Sequence, residues 1–135
     1  MHIGIVFFYQ HDIFFYMSSP FLNEDRIIEN KYAFAIYDSY PATKGHSLVI
    51  PKRQIKEIFD LNKEEYESCF ELVRKVKDLL ITKFKPEGFN IGVNCGEVAG
   101  QTIFHAHIHV IPRYKGDVPN PRGGVRNIIP GKGDY

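Results

Sequence analysis

The chain has 135 residues, of which 44% are hydrophobic and 24% charged. This is ordinary globular composition for one domain with one core, and it excludes an intrinsically disordered chain. The 17 basic residues nearly balance the 16 acidic ones, for a net charge of +1. Bulk electrostatics therefore argue against a nucleic-acid or membrane-surface binder, and any bound anion must be held by a local site. Two cysteines, Cys69 and Cys95, cannot form a disulfide framework, so a reducing cytoplasm is the expected compartment.

Residues 1–17 (MHIGIVFFYQHDIFFYM) are the greasiest stretch. They lack the basic region of a signal peptide, and His11 and Asp12 interrupt them well short of the roughly 18 apolar residues of a membrane span. They read as an extra strand, an extension, or a start upstream of Met17. The extension readings are favoured, with residues 1–16 expected to pack poorly and the domain expected over 17–135.

Residues 27–31 and 32–38 look like a hairpin with its turn near Asn30-Lys31. Phe34 and Ile36 fall on one face, and Ala33, Ala35 and Tyr37 on the other. Residues 39–45 form a loop by their Pro and Gly. A strand follows over 46–51, ended by Pro51, and then a short helical turn over 55–59. Asn62 and Glu65 have the spacing of a capping box at the start of a long helix. In that helix Tyr66, Phe70, Val73, Val76 and Leu80 recur at helical spacing, and Cys69, Leu72 and Leu79 widen the stripe. Acids come early and bases late, matching the helix dipole, and Pro86 and Gly88 close it. Strands are expected over 89–94 and 103–112, with a glycine-bounded loop (95–100) between them. From Arg113 onward glycine and proline predict an irregular tail. The result is an α+β fold: an antiparallel sheet of about five strands, with one long and one short helix.

The informative residues are His105, His107 and His109. Side chains alternate along a strand, so the three imidazoles project from one face, while Ala106, Ile108 and Val110 project from the other. Three imidazoles on an apolar strand pack poorly without partners. Their tips, roughly 6.5–7 Å apart at the backbone, can converge on a phosphoryl group or a transition metal. The preceding NCGEVAGQTIF segment favours phosphoryl. It supplies Asn94, Gln101 and Thr102 as neutral polar groups, and glycines that let the backbone approach a ligand. A catalytic zinc would want supporting carboxylates, and Glu97 is the only acid nearby.

HAHIHVI resembles the signature of the histidine triad (HIT) superfamily, His-x-His-x-His followed by two apolar residues. AGQTIFHAHIHVIPRYKGD, GHSLVIPKR and AFAIYDSYPATKG are similar to blocks of its branch containing the fragile histidine triad protein and bacterial dinucleoside-polyphosphate hydrolases. The resemblance runs from about Phe21 to the C-terminus. It implies an antiparallel sheet with helices on one side, usually in a homodimer joining two sheets. It implies that His107 attacks the α-phosphorus of a nucleotide, and that water then releases a nucleoside monophosphate from the nucleotidyl-histidine. His109 and His46 match phosphate-contacting histidines, and Asn94, Gln101 and Thr102 match polar phosphate contacts. Asp38 matches an acid that binds ribose hydroxyls, and Phe21 and Ile36 fall near base-pocket positions. Each has a plainer structural reading: Asp38 ends a strand, His46 caps a turn, Asn94 closes one, and Phe21 and Ile36 are core.

Many bacterial relatives hold zinc with a C-x-x-C pair, a histidine after the IPKR block and the first triad histidine. Here those positions are Ser19, Leu22, Gln54 and His105. The resemblance therefore implies no zinc, no required cofactor and a His105 hydrogen-bonded within the protein. Magnesium would enter only on a polyphosphate substrate. The leading expectation is a hydrolase of dinucleoside polyphosphates or nucleoside phosphoramidates. The alternatives are a nucleotidyltransferase or phosphorylase, a nucleotide-binding regulatory module with little turnover, and a histidine-rich metal protein. A weaker expectation is that the basic tail forms a flap over extra phosphates.

Overall fold

The structure, a computed structural model, describes residues 18–135. The expectations for residues 1–16 and for a domain start at Met17 lie outside the described residues. Five strands, β1 (Arg26–Glu29), β2 (Ala33–Tyr37), β3 (Ser47–Pro51), β4 (Gly88–Gly92) and β5 (Ile108–Arg113), form one antiparallel sheet in the order β1-β2-β3-β5-β4. A single long helix, α1 (Lys63–Phe84), packs on one face. None of the described helices is long and apolar enough to cross a membrane.

Local chemistry sets most of these elements. In the β1–β2 turn the Asn30 side chain accepts from the Ala33 N–H at 2.9 Å and donates to the Ser68 carbonyl at 2.8 Å, which ties the hairpin to α1. The capping box is present, with Asn62 Oδ1 accepting from the Glu65 N–H (2.9 Å) and Glu65 Oε1 accepting from the Asn62 N–H (3.0 Å). Glu65 is buried, and Arg53, just beyond β3, grips it through Nε at 3.0 Å and Nη2 at 2.7 Å. This bidentate pair fixes the helix start against the exit of β3. The expected short helix is a 3-10 turn over Ile58–Asp60.

Period-two alternation sorts the sheet into two cores. Ala33, Ala35, Val49, Ala106, Ile108 and Val110 face α1 and meet Cys69, Leu72, Val73, Val76 and Leu80. Phe34, Ile36, Leu48 and Ile50 face away, where Phe21 of a 3-10 turn (Pro20–Asn23) covers them. Three alanines sit under the helix beside Val49, Ile108 and Val110, whereas the opposite face carries only large residues, Phe34, Ile36, Leu48 and Ile50. The helix stripe is narrower than its sequence spacing predicts. Phe70 and Leu79 are 47% and 43% exposed, because a helix lying on a sheet covers only the residues directly beneath its axis.

The long strand expected over 103–112 begins only at Ile108. Pro51 has no N–H to offer a neighbouring strand, and the β3–β5 ladder stops at Val49–Ile108. Upstream, the Ala106 N–H donates to the Ile55 carbonyl at 2.8 Å instead. The tail after Arg113 is irregular as expected, with one 3-10 turn over Gly124–Ile128.

The burial pattern predicts unequal costs on the helix. Leu72→Ala should cost about 2–5 kcal/mol through lost contacts and a cavity, and Leu79→Ala less than about 1 kcal/mol. Denaturant midpoints compared at a common slope will read this difference; equal losses would contradict the narrow stripe.

Candidate active site on the open face

The site lies on the sheet face away from α1. Ladder partners run Ile36 to Leu48, Leu48 to His109 and His109 to Gly92, so one row of side chains crosses β2, β3, β5 and β4. His109 is the only triad residue inside a regular strand. His107 and His105 lie in the segment leading into it, which corrects the expectation of one uninterrupted strand. The rings still gather. His107 and His109 centroids are 5.2 Å apart, and His109 and His46 are 5.1 Å apart. Phe21 packs at 5.0 Å from His107 and 5.9 Å from His105.

Two imidazoles bond to nearby backbone. His105 is fully buried and its Nε2 donates to the Pro51 carbonyl at 2.7 Å. That carbonyl ends β3, so the first triad residue serves to dock the segment on the sheet. His107 Nδ1 donates to the His105 carbonyl at 2.8 Å. A backbone carbonyl can only accept, so this bond places the His107 proton on Nδ1 and leaves a lone pair on Nε2. His46 follows Gly45, whose φ of +89° and 2.7 Å approach of an added Cβ to the Phe84 ring suit glycine alone. His46 Nδ1 accepts from the Ala42 N–H at 3.0 Å, and its Nε2 lies 2.9 Å from His109 Nδ1 and 3.4 Å from Asp38 Oδ2.

Burial is the first cause of the electrostatics. It holds His46, His105 and His107 below the ordinary histidine value, and His107 also repels charge on His46 and His105. His109, flanked by two imidazoles as well as desolvated, falls to about 4, although Asp38 opposes the shift. All four rings are thus neutral at pH 7. A neutral His107 with a bare Nε2 is a nucleophile; a protonated one would not be.

Two cavities flank the row. One of 260 Å³ lies on the β2–β3 side and is lined by Phe21, Ile36, Asp38, Tyr40, Leu48 and Ile103. Its lining is largely apolar with two carboxylates, Glu24 and Asp38, and Asp38 Oδ1 also accepts from the Tyr40 N–H at 2.9 Å. The other, of 390 Å³ on the β4 side, is lined by His46, His109, Asn94, Gly92 and, from the tail, Val125 and Ile128. The structure therefore brings His46, His107 and His109 together, with Asp38, Phe21 and Ile36 on one flank and Asn94 on the other. Thr102 is exposed at the end of the 96–102 loop.

Gln101 has a different place from the one expected. It is buried, its Nε2 donates to the Lys56 (2.7 Å) and Ile103 (3.2 Å) carbonyls, and its Oε1 accepts from the Gly96 N–H (2.9 Å). Both amide protons are used inside the protein, where Gln101 braces the loop between Gly96 and Ile103. Leu48 and Ile103 were not among the expected lining residues. The alternation of β3 carried the signal for Leu48, whereas nothing local marked Val125 and Ile128, whose place depends on the path of the tail. The tail's arginines are engaged: Arg113 pairs with Asp117 through two 2.8 Å contacts, and Arg122 and Arg126 lie over the Tyr135 ring. This weakens the idea of a phosphate-binding flap.

Two metal arrangements can be tested against the donors. Asp38, His46 and His109 place one ligand atom each within 4.8 Å of one another. However, a 2.9 Å nitrogen–nitrogen distance with centroids at 5.1 Å sets the two nitrogens head-on, as a hydrogen bond requires, rather than converging on a third point. The other arrangement would use positions 19, 22, 54 and 105. Serine, leucine and glutamine are not among the sulfur, imidazole and carboxylate ligands of zinc. The Ser19 N–H instead donates to Gln54 Oε1 at 2.9 Å.

Comparison with known proteins agrees with this geometry. A family model described as the HIT domain matches residues 21–116. "Protein hit" of Bacillus subtilis (strain 168) is 41% identical over 93 residues, covering 68% of this chain and 64% of that one. Bis(5'-adenosyl)-triphosphatase of Dictyostelium discoideum is 36% identical over 88 residues, covering 65% of this chain and 59% of that one. The chain thus spans less than two thirds of the length of these relatives. A crystal structure of a HIT family protein from Bacillus anthracis str. 'Ames Ancestor' superposes with a TM-score of 0.66 at 42% identity, covering 69% of this chain and 66% of that one. With a matched domain spanning the sheet, the helix and all four site histidines, the chain belongs to the HIT family.

Proposed function

We propose that this protein is a nucleotide hydrolase that cleaves at the α-phosphate of dinucleoside polyphosphates or nucleoside phosphoramidates. The observation that carries the reading is the 2.8 Å bond from His107 Nδ1 to the His105 carbonyl, because it leaves Nε2 bare in a ring that burial keeps neutral. Nε2 attacks the α-phosphorus, the bond to the leaving group breaks, and a nucleotidyl-histidine forms. Water then attacks the same phosphorus, the N–P bond breaks so that His107 leaves as a neutral imidazole with its Nδ1 proton in place, water's surplus proton passes to solvent, and a nucleoside monophosphate is released. The nucleobase enters the Phe21–Ile36–Leu48–Ile103 cavity, and Asp38 at its edge accepts from the ribose hydroxyls. His109 and His46 lie beside the phosphate, with Asn94 and Thr102 on the loop side. The relative named as a bis(5'-adenosyl)-triphosphatase supports this choice of substrate class.

The reading includes no resident cofactor and no structural zinc, since three of the four family positions hold non-ligands. Magnesium enters only with a polyphosphate. It also includes a homodimer. β4 is the end strand of the sheet and its outer edge pairs with nothing among the described residues. Two copies joining β4 edges would extend one continuous sheet.

His107→Asn should reduce turnover of diadenosine polyphosphates and of an adenylyl phosphoramidate by at least about a thousandfold while leaving nucleotide binding intact. Rapid quenching of wild type should trap a nucleotide on His107. A variant that turns over normally would end the reading, and running the assay with added phosphate separates hydrolysis from phosphorolysis by product.

Metal analysis of the purified protein should find well under one zinc per chain. One tightly held zinc per chain would overturn the metal-free assignment.

The depressed histidines fix the sign of the pH response. Unfolded imidazoles take up protons below the ordinary value of 6.5, and the folded ones do so only further down, about 4 for His109. The stability they confer is therefore complete above 6.5 and lost as pH falls toward 4. Chemical denaturation across pH 7.5 to 4 should show that decline, and the acid limb of kcat/KM should lie below 6.5. A limb at or above 6.5 would contradict a neutral buried nucleophile.

A further inference from the structure

His46 and His109 share one short contact, and nothing in it alone says which ring holds the proton. The Ala42 backbone settles the question. The Ala42 N–H points at His46 Nδ1 at 3.0 Å, and an amide N–H can only donate. His46 Nδ1 must then hold its lone pair toward the backbone, and the single proton of the neutral ring sits on Nε2. That proton faces His109 Nδ1 at 2.9 Å, which must accept. His109 in turn keeps its own proton on Nε2, on the ring edge away from His46.

We infer that the backbone amide of Ala42 is the positioning group that sets the proton register of the site, so that His109 carries an N–H on Nε2 in a ring 5.2 Å from that of His107. The loop over residues 38–46 is built to hold this amide in place. The Asp38 N–H donates to the His46 carbonyl at 2.9 Å and the His46 N–H to the Thr43 carbonyl at 3.1 Å. Thr43 Oγ1 donates to the Pro112 carbonyl and Tyr114 Oη to the Lys44 carbonyl, both at 2.6 Å. The loop is thereby fastened to the far end of β5, the same strand that carries His109.

The register has a chemical consequence that rests on the proposed nucleotidyl transfer. His109 acts as a hydrogen-bond donor to phosphate oxygen and keeps its proton. Releasing that proton would require a replacement at Nδ1 from His46. His46 could not supply it without becoming an anion, because its own Nδ1 has no proton while bonded to Ala42. Equally, His46 cannot become an imidazolium without breaking the Ala42 bond, so the amide guards the neutral state. The titratable groups facing His46 are Asp38 on its loop, at 3.4 Å, His109 on β5, and His107 beyond His109. Asp38 favours a charged His46 and the two histidines oppose it or remain neutral, so the amide acts against Asp38.

Nitrogen-15 NMR of the histidine rings in the wild-type protein at pH 7 reads the register directly and needs no substrate. The expected pattern is Nδ1 unprotonated in His46 and His109, and Nε2 unprotonated in His107. A protonated Nδ1 in neutral His46 would overturn the inference whatever the enzyme's activity. Ala42→Pro removes the N–H from an exposed residue, and Ala42→Gly keeps it as the comparison. Relative to Gly, the Pro variant should lower kcat more than it changes KM and move the acid limb of the pH profile upward. Identical profiles in the two would overturn the positioning role. If the Pro variant fails to fold, the wild-type ring spectra still decide. If the wild-type protein turns over no nucleotide, the functional reading fails while the spectra still judge the register.

Discussion

Within the His105–His109 segment, His107 gives its Nδ1 proton to a carbonyl only two residues away, at 2.8 Å, while the His105 ring reaches sideways to the last carbonyl of β3 at 2.7 Å. The two bonds interlock. His105 docks the segment, docking fixes the direction of its carbonyl, and that carbonyl fixes the His107 tautomer. A neutral imidazole in solution exchanges its proton between both nitrogens and turns freely; here the backbone decides both. The rest of the site depends on this constraint, since it decides which nitrogen of the His107 ring carries a free lone pair.

The protein can hold a row of neutral imidazoles because its sheet has two unequal faces. Beneath α1, Ala33, Ala35, Val49, Ala106, Ile108 and Val110 build the larger of two buried clusters. The opposite face carries the site. Phe34, Ile36, Leu48 and Ile50 give it an apolar floor, and Phe21 folds over from outside the sheet to desolvate the rings from above. Desolvation keeps the imidazoles neutral, while the cavity on the β4 side opens onto His46 and His109. One face of the five strands is thus given wholly to packing, while the other combines packing with the imidazole row.

Much of this was legible in the chain before any coordinates. Alternation in 103–112 placed Ala106, Ile108 and Val110 toward the helix, and there they are. The Asn62–Glu65 spacing marked the start of α1 to the residue, because a capping box is a local interaction that neighbours in sequence complete by themselves. The first half of the histidine segment misled, since alternation reports which way side chains point and not whether a partner strand is available; Pro51 withdrew the partner. The internal partners of Gln101 were equally invisible in the chain. Its residue type fits a phosphate contact, yet Lys56 and Gly96, 45 and 5 residues away, claimed its amide first.

The sequence by itself determined the order of the three histidines and narrowed their use to two candidates, a phosphoryl group or a transition metal. Three alternating histidines on an apolar stretch, preceded by a glycine-rich polar loop, leave few other uses, and their order along the chain is a covalent fact that folding cannot change. Only the tertiary structure decided which nitrogen of each ring is free, which polar groups are already spent, and what walls the cavities. Those outcomes turn on hydrogen bonds and contacts between residues far apart in the chain: Ala42 to His46 and on to His109, His105 to Pro51, Gln101 to Lys56, and the tail's Val125 and Ile128 beside His109. Such partners are chosen by how the strands pair and how the loops close, and no pattern local to one segment encodes that choice.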